Sequence, residues 1–265
     1  MWIKWWFLSL FLTLSVQVSG KPLPLVSSDY QPYHAPALRD GGPLAILVQT
    51  AFATQKIDTD IRYLSWGEVM RQGTQPDVAG IIGAWDIPER HLQFYFSSPL
   101  YYNELRFFAL KPITKRHLNQ LANHLPRLGI VKDYAYPRAV HQAGFSISLA
   151  DSDQALMQLL LSNQVDVVLA DTGTARFWHQ REAPETVLHG SQLVLERKSV
   201  HLLLNKNYPQ ARQLFNQFEQ GLQKLAKNGQ WAQLLTPLEL PKPARRPLKH
   251  AAIEAQQASP ALSQP

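Results

Sequence analysis

The sequence predicts an α/β protein built as two lobes. Between Pro22 and Leu110, apolar runs of strand length alternate with segments of helical periodicity, and the alternation resumes between Arg127 and Gln180. After that second block, the apolar run Val200–Leu204 and a long amphipathic segment over 208–228 return to the character of the first. Strands joined by helices in this order pair in parallel.

Pro22 to Ser28 reads as the first strand, entering Ser28-Asp29-Tyr30-Gln31-Pro32-Tyr33, a proline-broken loop with two aromatics. Gly41-Gly42-Pro43 starts a helix, and Leu44, Leu47, Val48, Ala51 and Phe52 give it one apolar face. Asp60 to Leu64 is the next strand. Ser65 with Glu68 three residues on is a capping-box pattern opening a short helix. Val78 to Ile82 is short and apolar enough for a buried strand, which breaks at Gly83. Ile87-Pro88-Glu89-Arg90 forms a turn, followed by the aromatic run Phe94-Tyr95-Phe96, then Ser97-Ser98-Pro99 and a strand from Leu105 to Leu110.

The second block opens with a polar helix from Pro112 to His124 and a strand from Arg127 to Val131, with Lys132-Asp133-Tyr134-Ala135-Tyr136 as the loop above it. Ser146 to Ala150 is another strand. Asp151-Ser152-Asp153-Gln154 caps a helix through Leu161. Val165 to Ala170 is a buried strand ending at Asp171, and a helix follows from Thr172 to about Gln180. Leu193 to Glu196 then turns back towards the first block. Ala211, Leu214, Phe215, Phe218, Leu222 and Leu225 share a face of the long helix, Asn228-Gly229 ends it, and Trp231 to Leu235 adds a short one.

Apolar residues make up 45% and charged residues 17%, the composition of a chain with ample core. Lys4 carries one of the six net positive charges, and the tail's Lys242, Arg245, Arg246 and Lys249 against Glu254 carry three, leaving +2 for the rest. That balance, with no basic reading helix, gives no support to nucleic-acid binding. Residues 1–20 have the pattern of a secretory signal peptide: a short basic start, an apolar run from Trp5 to Val16, then Val18-Ser19-Gly20. The run is shorter than the roughly 20 apolar residues that span a bilayer. The chain has no cysteine, so no lipid-bearing Cys, disulfide or thiolate metal site. The expectation is a periplasmic, non-lipidated monomer without cofactor or metal. From Pro241 onward Pro, Ala, Gln and Ser dominate, a composition that predicts a disordered basic tail over 241–265.

The order Pro88-Glu89-Arg90, Phe96-Ser97-Ser98-Pro99-Leu100-Tyr101, Leu105-Arg106-Phe107-Phe108 resembles the extracytoplasmic solute-binding proteins of family 3. Those proteins deliver polar amino acids and related solutes to ABC transporters. The resemblance implies the type II periplasmic binding fold, two α/β lobes joined by two crossing strands with the ligand cleft between them. Lobe one would be 21–109 with 195–240, and lobe two 110–194. It further implies a small-molecule ligand and a membrane partner, either the permease of an ABC transporter or a membrane sensor. No G-x-S-x-G, H-E-x-x-H or phosphate loop argues for catalysis, although a few relatives of that fold are periplasmic dehydratases.

In open α/β sheets ligands sit beyond the carboxyl ends of strands. That rule nominates Tyr30, Trp66, Gly83 to Arg90, Asp133 to Tyr136, and Asp171, of which Tyr30, Trp66, Gly83, Trp85, Arg90, Tyr134 and Asp171 are the expected ligand-binding residues. Arg90 can grip a carboxylate through two parallel N–H bonds; a surface ion pair with Glu89 or Asp86 is its other reading. The resemblance makes Tyr30 and Trp66 the stacking walls and Asp171 the partner of an amino group. Core packing for the aromatics and an N-cap for Asp171 stand as the alternatives. The sequence departs from the family where Gly83, Trp85 and Ile87 replace hydroxyl-bearing donors and where Asp133-Tyr134-Ala135 replaces a Gly-Ser/Thr-Thr loop.

Overall fold

The computed structural model describes residues 21–113 and 126–238. The expected signal peptide, nearly all of the polar helix over 112–124 and the tail from 241 lie outside the described residues. Within them the first lobe is built from β1 (Leu23–Ser28), α1 (Pro43–Ala53), β2 (Thr59–Leu64), α2 (Trp66–Gln72), β3 (Gly80–Trp85), β4 (Phe94–Phe96) and β5 (Tyr101–Ala109). The second holds β6 (Arg127–Val131), α3 (Arg138–Gln142), β7 (Ser146–Ala150), α4 (Asp153–Leu161), β8 (Val167–Asp171), α5 (Thr172–Glu182) and β9 (His189–Gly190). The chain then returns through β10 (Glu196–Asn205), α6 (Ala211–Lys227) and α7 (Gln230–Leu235).

The sheet order is β2-β1-β3-β10-β5-β8-β6-β7, with β4 beside β10 and β9 beside β5. β1 pairs in parallel with β2 and β3, and β6 in parallel with β7 and β8. The centre is different. β10 runs antiparallel to β3 and to β5, and β5 runs antiparallel to β8. The sheet therefore passes from one lobe to the other through two long antiparallel strands.

Burial explains the strand patterns. Every residue of β8 is buried, and β1 and β3 are buried at all but one position each, because helices cover both faces; such strands read as continuous apolar runs. The edge strand β2 begins with alternating partly buried and exposed positions. In α1, Leu44, Leu47, Val48, Ala51 and Phe52 are all buried, the face that its spacing predicts. They meet α6, whose Leu214, Phe218, Leu222 and Leu225 are buried, with the Phe52 and Phe218 rings 5.0 Å apart. Each such apolar side chain contributes about 1.5–3 kcal/mol on burial. Gly221 lets the two helices come this close, since a Cβ there would stand 2.1 Å from the Ala51 carbonyl oxygen.

Three local expectations are corrected. β3 does not end at Gly83 but runs to Trp85, because β10 continues to supply partners: Ala84 opposite His201 and Trp85 opposite Val200. Gly83 takes a left-handed φ of +86° within the strand, and the β10 register shifts nearby, between His201 and Leu202. Ser65 stands at the N-cap of α2 but caps no backbone N–H; its Oγ donates instead to Glu68 Oε2 at 3.1 Å. The strand expected from Leu105 starts at Tyr101, where Val200 pairs with it. α3 and β9 carry no sequence signal strong enough to have been expected.

Candidate functional site

The carboxyl ends of β1 and β3 and the loop after β6 meet across the interlobe cleft and enclose a cavity of about 20 Å³. That is room for roughly one water molecule. Tyr30, Trp66, Gly83, Trp85, Arg90 and Tyr134 line it, together with Ser28 and Ala135. The site thus gathers six of the seven residues expected from the sequence. Asp171 is the exception.

The aromatic walls come from three different segments. Tyr30 lies in the loop after β1, held by an isolated bridge to His34 and stacked on Tyr33 with ring centroids 5.2 Å apart. Trp66 opens α2, and Trp85 ends β3, its indole N–H donating to Asn103 Oδ1 at 2.8 Å. Tyr134 enters from the opposite lobe as a wedge. Its ring stands edge-on to Tyr30, Trp66 and Trp85, at 6.2, 6.3 and 5.4 Å. The Tyr134 hydroxyl donates to Asp153 Oδ2 at 2.7 Å, which fixes the wedge from behind. Burial pushes the Tyr30 and Tyr134 hydroxyls well above the usual phenol value, so both are neutral at pH 7.

Arg90 is the charged member of the lining. It sits in the 3₁₀ turn Pro88–Leu92 and is 7% exposed. One guanidinium N–H donates to the Trp85 carbonyl at 2.8 Å, and the guanidinium carbon lies 5.2 Å from the centre of the Trp66 ring. Its Nε is buried without a hydrogen-bond partner. Neither acid suggested as its ion-pair partner reaches it within salt-bridge distance; Asp86 is engaged by His91 at 2.5 Å. Burial lowers the Arg90 pKa to about 10, against the opposing attraction of Glu89 and Asp86, and the side chain stays a cation at pH 7. A desolvated guanidinium with donor capacity left over is suited to an anion.

Asp171 is placed elsewhere. It ends β8 and caps α5, and its Oδ2 accepts from the Gly173 and Thr174 N–H groups at 3.0 and 3.2 Å. The Tyr33 hydroxyl donates to the same oxygen, and the Glu104 N–H donates to Oδ1 at 3.0 Å. The carboxyl is buried behind the aromatic wall rather than in the cavity lining. Asp133, on the same loop as Tyr134, is exposed with a left-handed φ of 63°.

Ala135 lies in the loop 133–136 that the strand-end rule nominated, while Ser28, Asn103 and Asp153 were not expected at the site. The same rule could have found Ser28. The other two act from behind the wall, which only the three-dimensional packing shows. His34 is similar: fully buried, its Nδ1 lies 2.9 Å from both Ser27 Oγ and the Ser28 carbonyl, while Nε2 faces Gly83 without a partner. Burial lowers its pKa to about 4, so the ring is neutral at pH 7.

No protein-family model and no curated protein matches the chain by sequence. Solved structures do match it in shape. A histidine kinase sensor domain with similarity to periplasmic binding proteins superposes with a TM-score of 0.70 at 17% identity, over 82% of this chain and 96% of the other. The GluR0 ligand-binding core from Nostoc punctiforme, in complex with L-glutamate, gives 0.69 at 18% identity over 83% and 100%. This chain has the type II periplasmic binding fold. The arginine-, lysine-, histidine-binding protein ArtJ from Geobacillus stearothermophilus gives 0.68 at 16% identity over 83% and 97%. Likeness at these identities speaks for the fold, and the site's chemistry has to come from its own residues. Among the described residues no helix is long and apolar enough to cross a membrane, and no group of three or more His, Asp or Glu is placed to hold a metal ion.

Proposed function

We propose that the protein is a periplasmic solute-binding protein that captures a small carboxylate-bearing solute between its lobes by hinge closure. The observation that carries this reading is Arg90: a cation buried at the cleft, stacked on Trp66, with Nε unpartnered. A carboxylate meeting it in a dry cleft gains about 1.5–3 kcal/mol per charge-assisted bond. The ligand-binding residues are Tyr30, Trp66, Gly83, Trp85, Arg90 and Tyr134, with Asp171 acting on the cleft from behind. Residues 21–109 with 195–240 move as one lobe and 110–194 as the other, about the antiparallel pair β5 and β10. Opening separates Tyr134 from Trp66 and Trp85, and closure on the ligand returns it.

The protein carries its solute to the permease of an ABC transporter and acts as a monomer without catalysis. A membrane sensor as partner is the second reading, favoured by the likeness to a histidine kinase sensor domain. The test is the melting temperature of the purified protein against amino acids and small carboxylates. A ligand that binds the native state raises stability by about 2.7 kcal/mol at a hundredfold excess over Kd. The expected result is a shift from at least one carboxylate, abolished in Arg90→Ala. A shift that survives Arg90→Ala would remove Arg90 from the site.

A further inference from the structure

We propose that this cleft selects a monocarboxylate with a flat apolar body and rejects the corresponding α-amino acid, because the buried acids behind its walls are covered by the protein's own tyrosine hydroxyls. The inference rests on the reading of Arg90 as the carboxylate anchor and narrows the solute class. Arg90 provides the cation of the lining, and the remaining walls are aromatic rings, a glycine, an alanine and a serine. Among the described residues no acidic side chain lines the cavity.

Of the buried carboxyls, Glu104 is paired with Arg106 and Arg197 at 2.9 and 2.8 Å, while Asp171 and Asp153 stand behind the walls. Asp171 accepts four donors: the Tyr33 hydroxyl and the N–H groups of Gly173, Thr174 and Glu104. Three of these donors fall on Oδ2 and one on Oδ1, so the oxygen that faces Tyr33 has no lone pair left for a ligand. Tyr33 comes from the loop after β1 and Asp171 from β8, so this hydrogen bond joins the two lobes. It places a neutral hydroxyl where a ligand's ammonium would otherwise meet the acid. Tyr33 is locked there by stacking on Tyr101, with centroids 4.6 Å apart, and on Tyr30. Asp153 takes the hydroxyl of Tyr134, whose ring stands in the lining.

An α-ammonium carried into this cavity would lose water and find aromatic edges and faces beside a like-charged guanidinium. A polar group buried without a partner is rejected far more strongly than a missing methylene. The flat body follows from the walls. Tyr30, Trp66 and Trp85 offer ring surfaces around the space that the edge of Tyr134 now closes.

The test is calorimetric titration with pairs differing only in the amino group: 3-phenylpropanoate against L-phenylalanine, and 3-(indol-3-yl)propanoate against L-tryptophan. Glutarate against L-glutamate serves as the aliphatic pair. The expected result is that the aromatic carboxylates bind at least tenfold tighter than their amino acids and than glutarate, with binding lost in Arg90→Ala. In Tyr33→Phe, which keeps the ring and removes the hydroxyl that covers Asp171 Oδ2, the amino acids regain at least tenfold relative to their partners. Arg90-dependent binding in which the amino acid equals or exceeds its partner would overturn the inference and leave the proposed function standing. Tightest binding of glutarate would overturn the flat body in the same way. If no carboxylate of the panel binds through Arg90, the anchor fails and the inference falls with it. The wild-type comparison decides the question even if Tyr33→Phe does not fold.

Discussion

Arg90 shows how surroundings change what a single side chain can do. A surface arginine would be hydrated and interchangeable with lysine, but here the guanidinium lies over Trp66 and anchors to the Trp85 carbonyl. Arg90→Lys keeps the charge and loses the planar fork, so ligand affinity should fall by tenfold or more while the melting temperature changes little. Two buried groups behind the wall contribute to the pH response in opposite senses. Burial raises the Asp153 pKa to about 7, with the Tyr134 hydroxyl opposing the shift and the Asp171 charge reinforcing it. A raised folded-state value means that stability from this group is complete below about pH 4 and is lost as pH rises through 7. His34 works in the opposite sense: lowered to about 4, it stabilises above pH 6.5, and that contribution is lost as pH falls towards 4. The two offset each other between pH 4 and 6.5. Asp153→Asn should therefore be more stable than wild type by roughly 2–4 kcal/mol above pH 7. It should also be distinctly more acid-sensitive between pH 6.5 and 4, as read by urea unfolding at a series of pH values. Parallel pH profiles for the two proteins would contradict this assignment.

At the scale of elements, β3 turns on Gly83. A Cβ there would meet His34 Nε2 at 2.2 Å, and the backbone is left-handed. Gly83→Ala should cost more than 2 kcal/mol through strain and displacement of His34. With His34→Ala also in place, the cost should fall towards the roughly 1 kcal/mol of the dihedral alone; denaturant unfolding of the four variants measures the cycle. The same strand shows what the sequence could reveal. Its apolar run, the helical faces of α1 and α6, and the parallel βαβ order were legible because burial writes itself into residue spacing. The continuation past Gly83 was not, because it depends on β10, more than a hundred residues away in the chain. Six lining residues were legible from strand ends and the resemblance. The covering of Asp171 by the Tyr33 hydroxyl was not, since Tyr33 reads as one loop aromatic among several until the lobes are brought together.

At the scale of the molecule, the two lobes share β5 and β10, so interlobe motion must be taken up by two antiparallel strands and the cleft contacts. In this conformation the cleft is held by the protein's own groups, the Tyr33–Asp171 hydrogen bond and the Tyr134 wedge. Removing both with Tyr33→Phe and Tyr134→Ala should shift the ligand-free protein towards an open form with a larger radius of gyration in small-angle scattering. An unchanged radius would show that other contacts hold the lobes. The central claim is that Arg90 anchors an anionic solute in this cleft. Calorimetry with the carboxylate giving the largest melting shift, on wild type and Arg90→Ala side by side, tests it most directly. The account predicts a Kd weakened at least a hundredfold, equivalent to about 2.7 kcal/mol or more of lost contacts, with melting temperatures of the free proteins within a few degrees. Equal affinity in the two proteins would contradict it.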